Sequence, residues 1–197
     1  TAWDRANAVA TDSSGNIYIV GRTYDPYYSG WENRGMLLKV TSVGDLVWSK
    51  TFEPADYNDF NDGWTGVAID HDDNVIVCSD QLVTKVDSDG VVLWQNYIGY
   101  DEPFSMWNAC VDVDTDNNVY MAGEIDYMGN GNNDNFGIIK FDSDGVVQWK
   151  REAGTSQDED TQWNNGYQIL AIGGNKFYIA GSSYQGDDDV GFGISLP

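Results

Sequence analysis

Residues 3–21 read WDRANAVATDSSGNIYIVG, and the chain comes back to this pattern three more times. NIYIVG (Asn16 to Gly21) recurs as NVIVCS (Asn74 to Ser79), NVYMAG (Asn118 to Gly123) and KFYIAG (Lys176 to Gly181). The stretch before it, WDRANAVATD (Trp3 to Asp12), recurs as WTGVAID (Trp64 to Asp70), WNACVDVD (Trp107 to Asp114) and WNNGYQIL (Trp163 to Leu170). Two further blocks follow: LLKV, VTKV and IIKF align Lys39, Lys85 and Lys140, and VGDLVW, SDGVVLW and SDGVVQW end at Trp48, Trp94 and Trp149. Those tryptophans are 46 and 55 residues apart, a period of about fifty with insertions between blocks. A period of that length marks a repeat architecture.

Each block is short, rich in Val, Ile and Tyr, and bounded by Gly, Asp or Asn, which is how strands read. No segment carries a sustained helical period. The first and second strands of a repeat are joined by Asp-x-x-Gly-Asn-type turns (Asp12 to Asn16, Asp70 to Asn74, Asp114 to Asn118). The third and fourth are joined by Asp-Ser-Asp-Gly (Asp87 to Gly90, Asp142 to Gly145). Both suit hairpins, because Gly and Asn accept positive φ and an Asp side chain bonds nearby backbone N–H groups. Four antiparallel strands per repeat, in tandem, predict an all-β β-propeller with about four blades, the last incomplete. The whole chain, 1–197, reads as one repeat domain, with repeats near 1–57, 58–102, 103–158 and a truncated 159–197.

The order A-V-A-x-D-x-x-G-N-I-Y-I-x-G, an apolar strand carrying Lys, then G-x-L-x-W resembles the SBBP-type ("seven-bladed β-propeller") repeats, over nearly the whole chain. That family occurs in virion structural proteins of tailed phages and in secreted bacterial proteins, and the closing GFGISLP is more similar to the phage group. The resemblance implies a structural or binding module of a virion tail or fibre, partnered by other virion proteins or by a host-surface glycan or protein. The alternative it implies is a secreted or surface-anchored bacterial propeller that binds polysaccharide. Two departures stand out: Leu196 falls where a fourth aligned Lys is expected, and the sequence stops before a fourth Trp strand. With Thr1 leading straight into the first strand, the chain reads as a four-blade segment of a longer polypeptide; the alternative is a compact four-bladed ring lacking its last strand.

Composition narrows the partners. Asp and Glu number 32 against ten Lys and Arg, a net charge of −22, which disfavours nucleic acid and anionic membrane. Spread over roughly 9,000 Å², that excess puts neighbouring charges about 20 Å apart, beyond the ~8 Å reach of charge in physiological salt. No apolar run approaches the ~20 residues of a membrane-spanning helix. Cys78 and Cys110 lie within apolar strand patterns and read as buried core thiols.

In a meander, alternate connections share one end of the blade. The tight Asp turns share one end. At the other lie longer connections (Arg22 to Arg34, Glu53 to Asp62, Gly99 to Ser105, Glu124 to Asn135, Glu152 to Gln162 and Ser182 to Asp189), with only Ser79 to Gln81 in the second repeat. They carry Tyr27, Tyr28, Trp31, Tyr57, Phe60, Tyr100, Phe104, Tyr127 and Tyr184 among Asp, Asn and Gly. Aromatic faces beside short polar groups stack on sugars or pack against protein, so this is the candidate binding face, with Trp31, outside the repeat pattern, at its head.

Asp112, Asp114 and Asp116 open like a calcium loop, but Asn117 stands at the required Gly and Gly123 at the bidentate Glu. Turn chemistry accounts for Asp114 and Asp116 equally well. His71 is the only histidine and lies in a turn, so neither a Ser-His relay nor a His-based zinc site is available. A two-carboxylate glycosidase needs only a pair of placed carboxyls; the reading here is nonetheless non-enzymatic, with no cofactor. The three aligned lysines read as structural, each expected to pair with a turn Asp.

Overall fold

The computed structural model describes residues 4–24, 33–52, 63–98, 105–126, 134–153, 168–174, 176–185 and 188–195. Fifteen strands and no helix occur among them. Blade 1 comprises β1 (Arg5–Thr11), β2 (Ile17–Tyr24), β3 (Asn33–Val40) and β4 (Leu46–Phe52). Blade 2 comprises β5 (Gly66–Ile69), β6 (Val75–Cys78), β7 (Leu82–Val86) and β8 (Val92–Tyr97). Blade 3 comprises β9 (Ser105–Val113), β10 (Val119–Asp126), β11 (Asp134–Phe141) and β12 (Val147–Ala153). Blade 4 has three strands, β13 (Gln168–Gly173), β14 (Lys176–Gln185) and β15 (Asp188–Ser195). Each sheet is an antiparallel meander in sequence order.

The first strands of successive blades pack together, β1 on β5, β5 on β9 and β9 on β13, so they form the inner wall and β4, β8 and β12 the outer edge. Alternation along the strands explains the layering. In blade 2 both faces are covered, and every residue of β6 and β7 is buried. In blade 1 only the face carrying Tyr18, Val20 and Leu37 is buried; it meets Val75, Val77 and Val86 of blade 2. The next junction sets Ile76, Cys78 and Val83 against Val119, Met121, Ile139 and Phe141, and the last sets Tyr120, Ala122 and Ile138 against Ile169, Phe177 and Ile179. Three cores of one design therefore lie between blades. Both cysteines are free, within the blade 2–3 and blade 3–4 junctions.

Strands β2 and β10 run further than their apolar blocks, to Tyr24 and Asp126, and pair there with Asn33 and Asp134. In blade 4 the expected loop from Ser182 to Asp189 is mostly sheet, with Tyr184 paired to Asp189 and Gln185 to Asp188. Polar and glycine residues hid these extensions, because backbone pairing needs no apolar side chain. Register also moves the fourth lysine position: Tyr18, Ile76 and Tyr120 lie opposite Lys39, Lys85 and Lys140, but Tyr178 lies opposite Ser195, one residue before Leu196.

Trp64, just before β5, and Trp107, near the start of β9, are not equivalent, contrary to the sequence alignment. Trp64 is fully buried against Phe52, whereas Trp107 is 39% exposed. Six residues separate Trp64 from Asp70 and seven separate Trp107 from Asp114, and one residue reverses a strand side chain's direction. A bulge in β9, opposite Gly123, absorbs the extra residue. Gly35 lies under the Trp64 indole, at a distance no Cβ could share.

Candidate functional site

The turn end of the blades is built on repeated carboxylates. Asp12 Oδ1 accepts from the N–H groups of Ser14 (3.0 Å) and Asn16 (2.8 Å), Asp70 Oδ1 from Asp72 (2.9 Å) and Asn74 (2.8 Å), and Asp114 Oδ1 from Asp116 and Asn118 (both 2.9 Å). Burial alone would push these three carboxyls up, but the turn donors at Asp12 and Asp114, and Lys85 followed by the turn donors at Asp70, prevail and hold each below its ordinary range. Asp87 and Asp142 organise the third-to-fourth turns in the same way. Thr41 Oγ1 substitutes in blade 1 by accepting from the Asp45 N–H at 3.0 Å.

What sits six residues after each turn Asp decides how its second oxygen is used. Tyr18 donates its hydroxyl to Asp12 at 3.3 Å and Tyr120 to Asp114 at 3.0 Å. Burial first, and the adjacent carboxylates second, push both phenols well above their usual range. Ile76 has no hydroxyl, and there Lys85 Nζ closes on Asp70 at 2.8 Å, with Lys140 at 4.0 Å from Asp114 in blade 3. Lys39 instead lies over the Tyr18 ring, 5.2 Å from its centre.

Lys39 and Lys85 also bind the following blade. Lys39 Nζ (3.0 Å) and Trp48 Nε1 (3.2 Å) both donate to the carbonyl of Ser88, and Lys50 Nζ donates to that of Gly90 at 2.8 Å. One blade on, Lys85 Nζ (3.2 Å) and Trp94 Nε1 (3.0 Å) donate to the Ser143 carbonyl, and Asn96 Nδ2 to that of Gly145 at 2.5 Å. Each Asp-Ser-Asp-Gly turn is thus gripped by the Lys and Trp of the blade before it. First-to-second turns are linked as well: Ser13 donates through its N–H (2.8 Å) and hydroxyl (2.6 Å) to Asp73, and the His71 N–H donates to Asn117 Oδ1 at 3.0 Å.

Of the expected binding face, Tyr27, Tyr28, Trp31, Tyr57, Phe60, Tyr100, Phe104 and Tyr127 lie outside the described residues. Tyr184 lies within β14. At that end the structure adds Trp107, near the start of β9, as a partly exposed indole. Its mismatch in spacing to the turn Asp was the available signal. The short connection of blade 2 is closed by the Ser79 N–H donating to the Leu82 carbonyl at 2.8 Å and by Tyr97 donating its hydroxyl to Gln81 at 2.8 Å.

Asp112, Asp114 and Asp116 have separate tasks. Asp112 Oδ2 accepts the Ala171 N–H of blade 4 at 2.8 Å, and burial pushes its carboxyl up. Asp114 is buried in its turn, and Asp116 is exposed on it. Among the described residues, no three His, Cys, Asp or Glu side chains are grouped so as to hold a metal ion.

The profile of the SBBP β-propeller repeat family matches residues 4–28. No curated protein matches the chain. Among solved structures, a crystal structure of a protein of unknown function from Bacteroides caccae is similar, with a TM-score of 0.51 at 14% identity. The likeness covers 87% of this chain and 57% of that one, so the chain spans little more than half the length of its structural neighbour. An SBBP β-propeller repeat thus opens a chain whose all-β, four-sheet architecture is that of a partial β-propeller.

Proposed function

We propose that this chain is a non-enzymatic assembly and attachment module of a virion structural protein, in a tail or fibre, with other virion proteins or a host-surface glycan or protein as partner. The observation that carries a non-catalytic role is the clasp: the ionisable groups that recur from blade to blade hold turns and junctions together. Asp12, Asp70 and Asp114 are engaged by turn donors, and Lys39 and Lys85 grip the next blade. Placement in a virion rests on the resemblance of the repeat and of GFGISLP to the phage group. Recovery of the parent reading frame tests it: fibre, baseplate or collagen-like flanks are expected, whereas a signal peptide with a sorting tail assigns the chain to the secreted alternative.

That alternative, polysaccharide binding at a bacterial surface, is favoured by the aromatics interleaved with Asp, Asn and Gly between 22 and 34, 53 and 62, and 99 and 105. A glycan array probed with wild type, Trp31→Ala and Trp107→Ala separates sugar recognition from protein contact. Sugar recognition by the loop face requires binding that Trp31→Ala abolishes; identical profiles remove it. Polysaccharide cleavage that disappears on neutralising one loop carboxylate would overturn the non-enzymatic reading.

A further inference from the structure

Each outer strand begins with apolar residues that face water. In blade 2, Val91, Val92 and Leu93 stand consecutively at 56%, 47% and 52% exposure. Blades 1 and 3 pack on the two sides of this blade, so the run stays open beside neighbours that are already in place. Exposed Leu46 and Val47 in blade 1, and Val146 and Val147 in blade 3, repeat it at the same point of the blade. β8 is also the last strand of its sheet, bordered by β7 on one side and by no strand on the other. A run of exposed apolar side chains invites aggregation, and where it is kept it marks a contact surface.

Two features select the partner. Leu93 is an extra residue between the pairs Val92–Val86 and Trp94–Lys85, a bulge that recurs at Val47 and Gln148. A bulge interrupts a sheet edge, so an added strand does not pair along it and the contact is left to side chains. Carboxylates flank the run: Asp87 and Asp89 precede Val91, and the blade 3 turn that carries Asp142 and Asp144 is held against β8 by Trp94 and Asn96. Among the described residues none of these four carboxylates is ion-paired, whereas Asp70 and Asp114 face lysines, and β8 itself contains no Lys or Arg.

We propose that this outer rim, centred on blade 2, docks an amphipathic basic helix of a partner protein, with its apolar stripe on Val91 to Leu93 and its Lys or Arg side chains against Asp89 and Asp144. Charge complementarity selects that occupant. A second copy of this chain would bring the same carboxylates, and a charge of −22 against −22, to the contact. A helix fits because it presents an apolar stripe between flanking cations without needing a free sheet edge. The rim lies at the tight-turn end, apart from the aromatic connections, and the inference stands whether the parent is a virion protein or a secreted one.

The probe is a synthetic amphipathic helix of Leu and Lys, titrated calorimetrically into the 197-residue chain at 0.05 and 0.5 M NaCl. A Ser–Lys peptide without the apolar stripe and a Leu–Glu peptide of opposite charge serve as controls. The Leu–Lys helix is expected to bind, more weakly at the higher salt, and neither control to do so. Leu93→Asp and Asp89→Asn change exposed side chains and leave the Asp89 N–H bond to Asp87 in place, so both variants are expected to fold, as circular dichroism verifies. The first is expected to weaken binding roughly tenfold or more and the second by a smaller factor. Leu170→Asp, equally exposed but away from the rim, is expected to leave it unchanged. Absence of binding by the Leu–Lys helix overturns the proposal, as does equal binding of either control or binding that Leu93→Asp leaves intact. Self-association of the chain that Leu93→Asp abolishes assigns the rim to a second copy and equally overturns it.

Discussion

At the scale of single residues, Asp112 and Asp114 show how one side chain type is shifted in opposite directions by its surroundings. Asp114 and Asp112 are two positions apart, yet hydrogen bonds pull the first carboxyl below its ordinary range while burial pushes the second above it. A depressed carboxyl stabilises the fold fully above its unfolded value near 3.8 and loses that contribution as pH falls through its folded value. Asp12, Asp70 and Asp114 share this sign, so thermal stability is expected to fall as the pH drops below about 4. Asp112 has the reverse sign, and its cost appears as pH rises through its folded value. Asp112→Asn retains an acceptor for the Ala171 N–H and is expected to raise the melting temperature at pH 7 more than at pH 3.5. Backbone conformation gives a second residue-scale test. Gly15 sits at φ +79°, and a Cβ there would meet only Ser42 at an ordinary 3.5 Å. Gly15→Ala is therefore expected to cost about 1–2 kcal/mol in urea denaturation, through the left-handed conformation alone.

Elements are joined by side chains of one blade gripping a turn of the next, and the glycine that ends this turn is where the grip can be measured. Gly44 and Gly145 end equivalent turns at φ +97° and +83°, but Gly44 faces open space whereas Trp94 lies 2.7 Å from where a Cβ on Gly145 would stand. Both alanine variants bear the left-handed strain; Gly145→Ala is expected to lose a further ~1–3 kcal/mol by overpacking, read as the difference between the two urea midpoints. The lysines divide similarly. Lys85 is buried with Asp70 at 2.8 Å, so Lys85→Met is expected to cost about 3–5 kcal/mol, the usual result of breaking a buried pair. At Lys39 the Tyr18 hydroxyl already bonds Asp12, and Lys39→Met is expected to cost only about 1 kcal/mol for the bond to Ser88. Equal losses at the two sites would refute the claim that the residue opposite the lysine sets its task.

Over the whole molecule, charge and repetition act together. The chain carries a net charge of −22 while the cores of its junctions are apolar, so screening relieves repulsion without weakening those cores. Raising NaCl from 0.01 to 0.5 M is expected to increase the melting temperature, and a decrease would show that exposed ion pairs matter more than net charge. The sequence alone determined the strands, their order within a blade and the turn chemistry, because each depends on neighbours fewer than about twenty residues away: the alternation of Val, Ile and Tyr, and an Asp placed to accept its own turn's N–H groups. The structural role of the repeated lysines was legible in the same way, from recurrence in register, and the expected pairing with a turn Asp is met closely at Lys85, loosely at Lys140 and not by Lys39, which lies over Tyr18. Only the tertiary structure decided that Lys39 and Lys85 also grip the next blade, that Trp64 is enclosed while Trp107 is partly exposed, and that Ser195 takes the fourth lysine's place. Those outcomes depend on register, on a bulge that shifts side chains by one position, and on contacts between repeats about fifty residues apart, which no local pattern encodes.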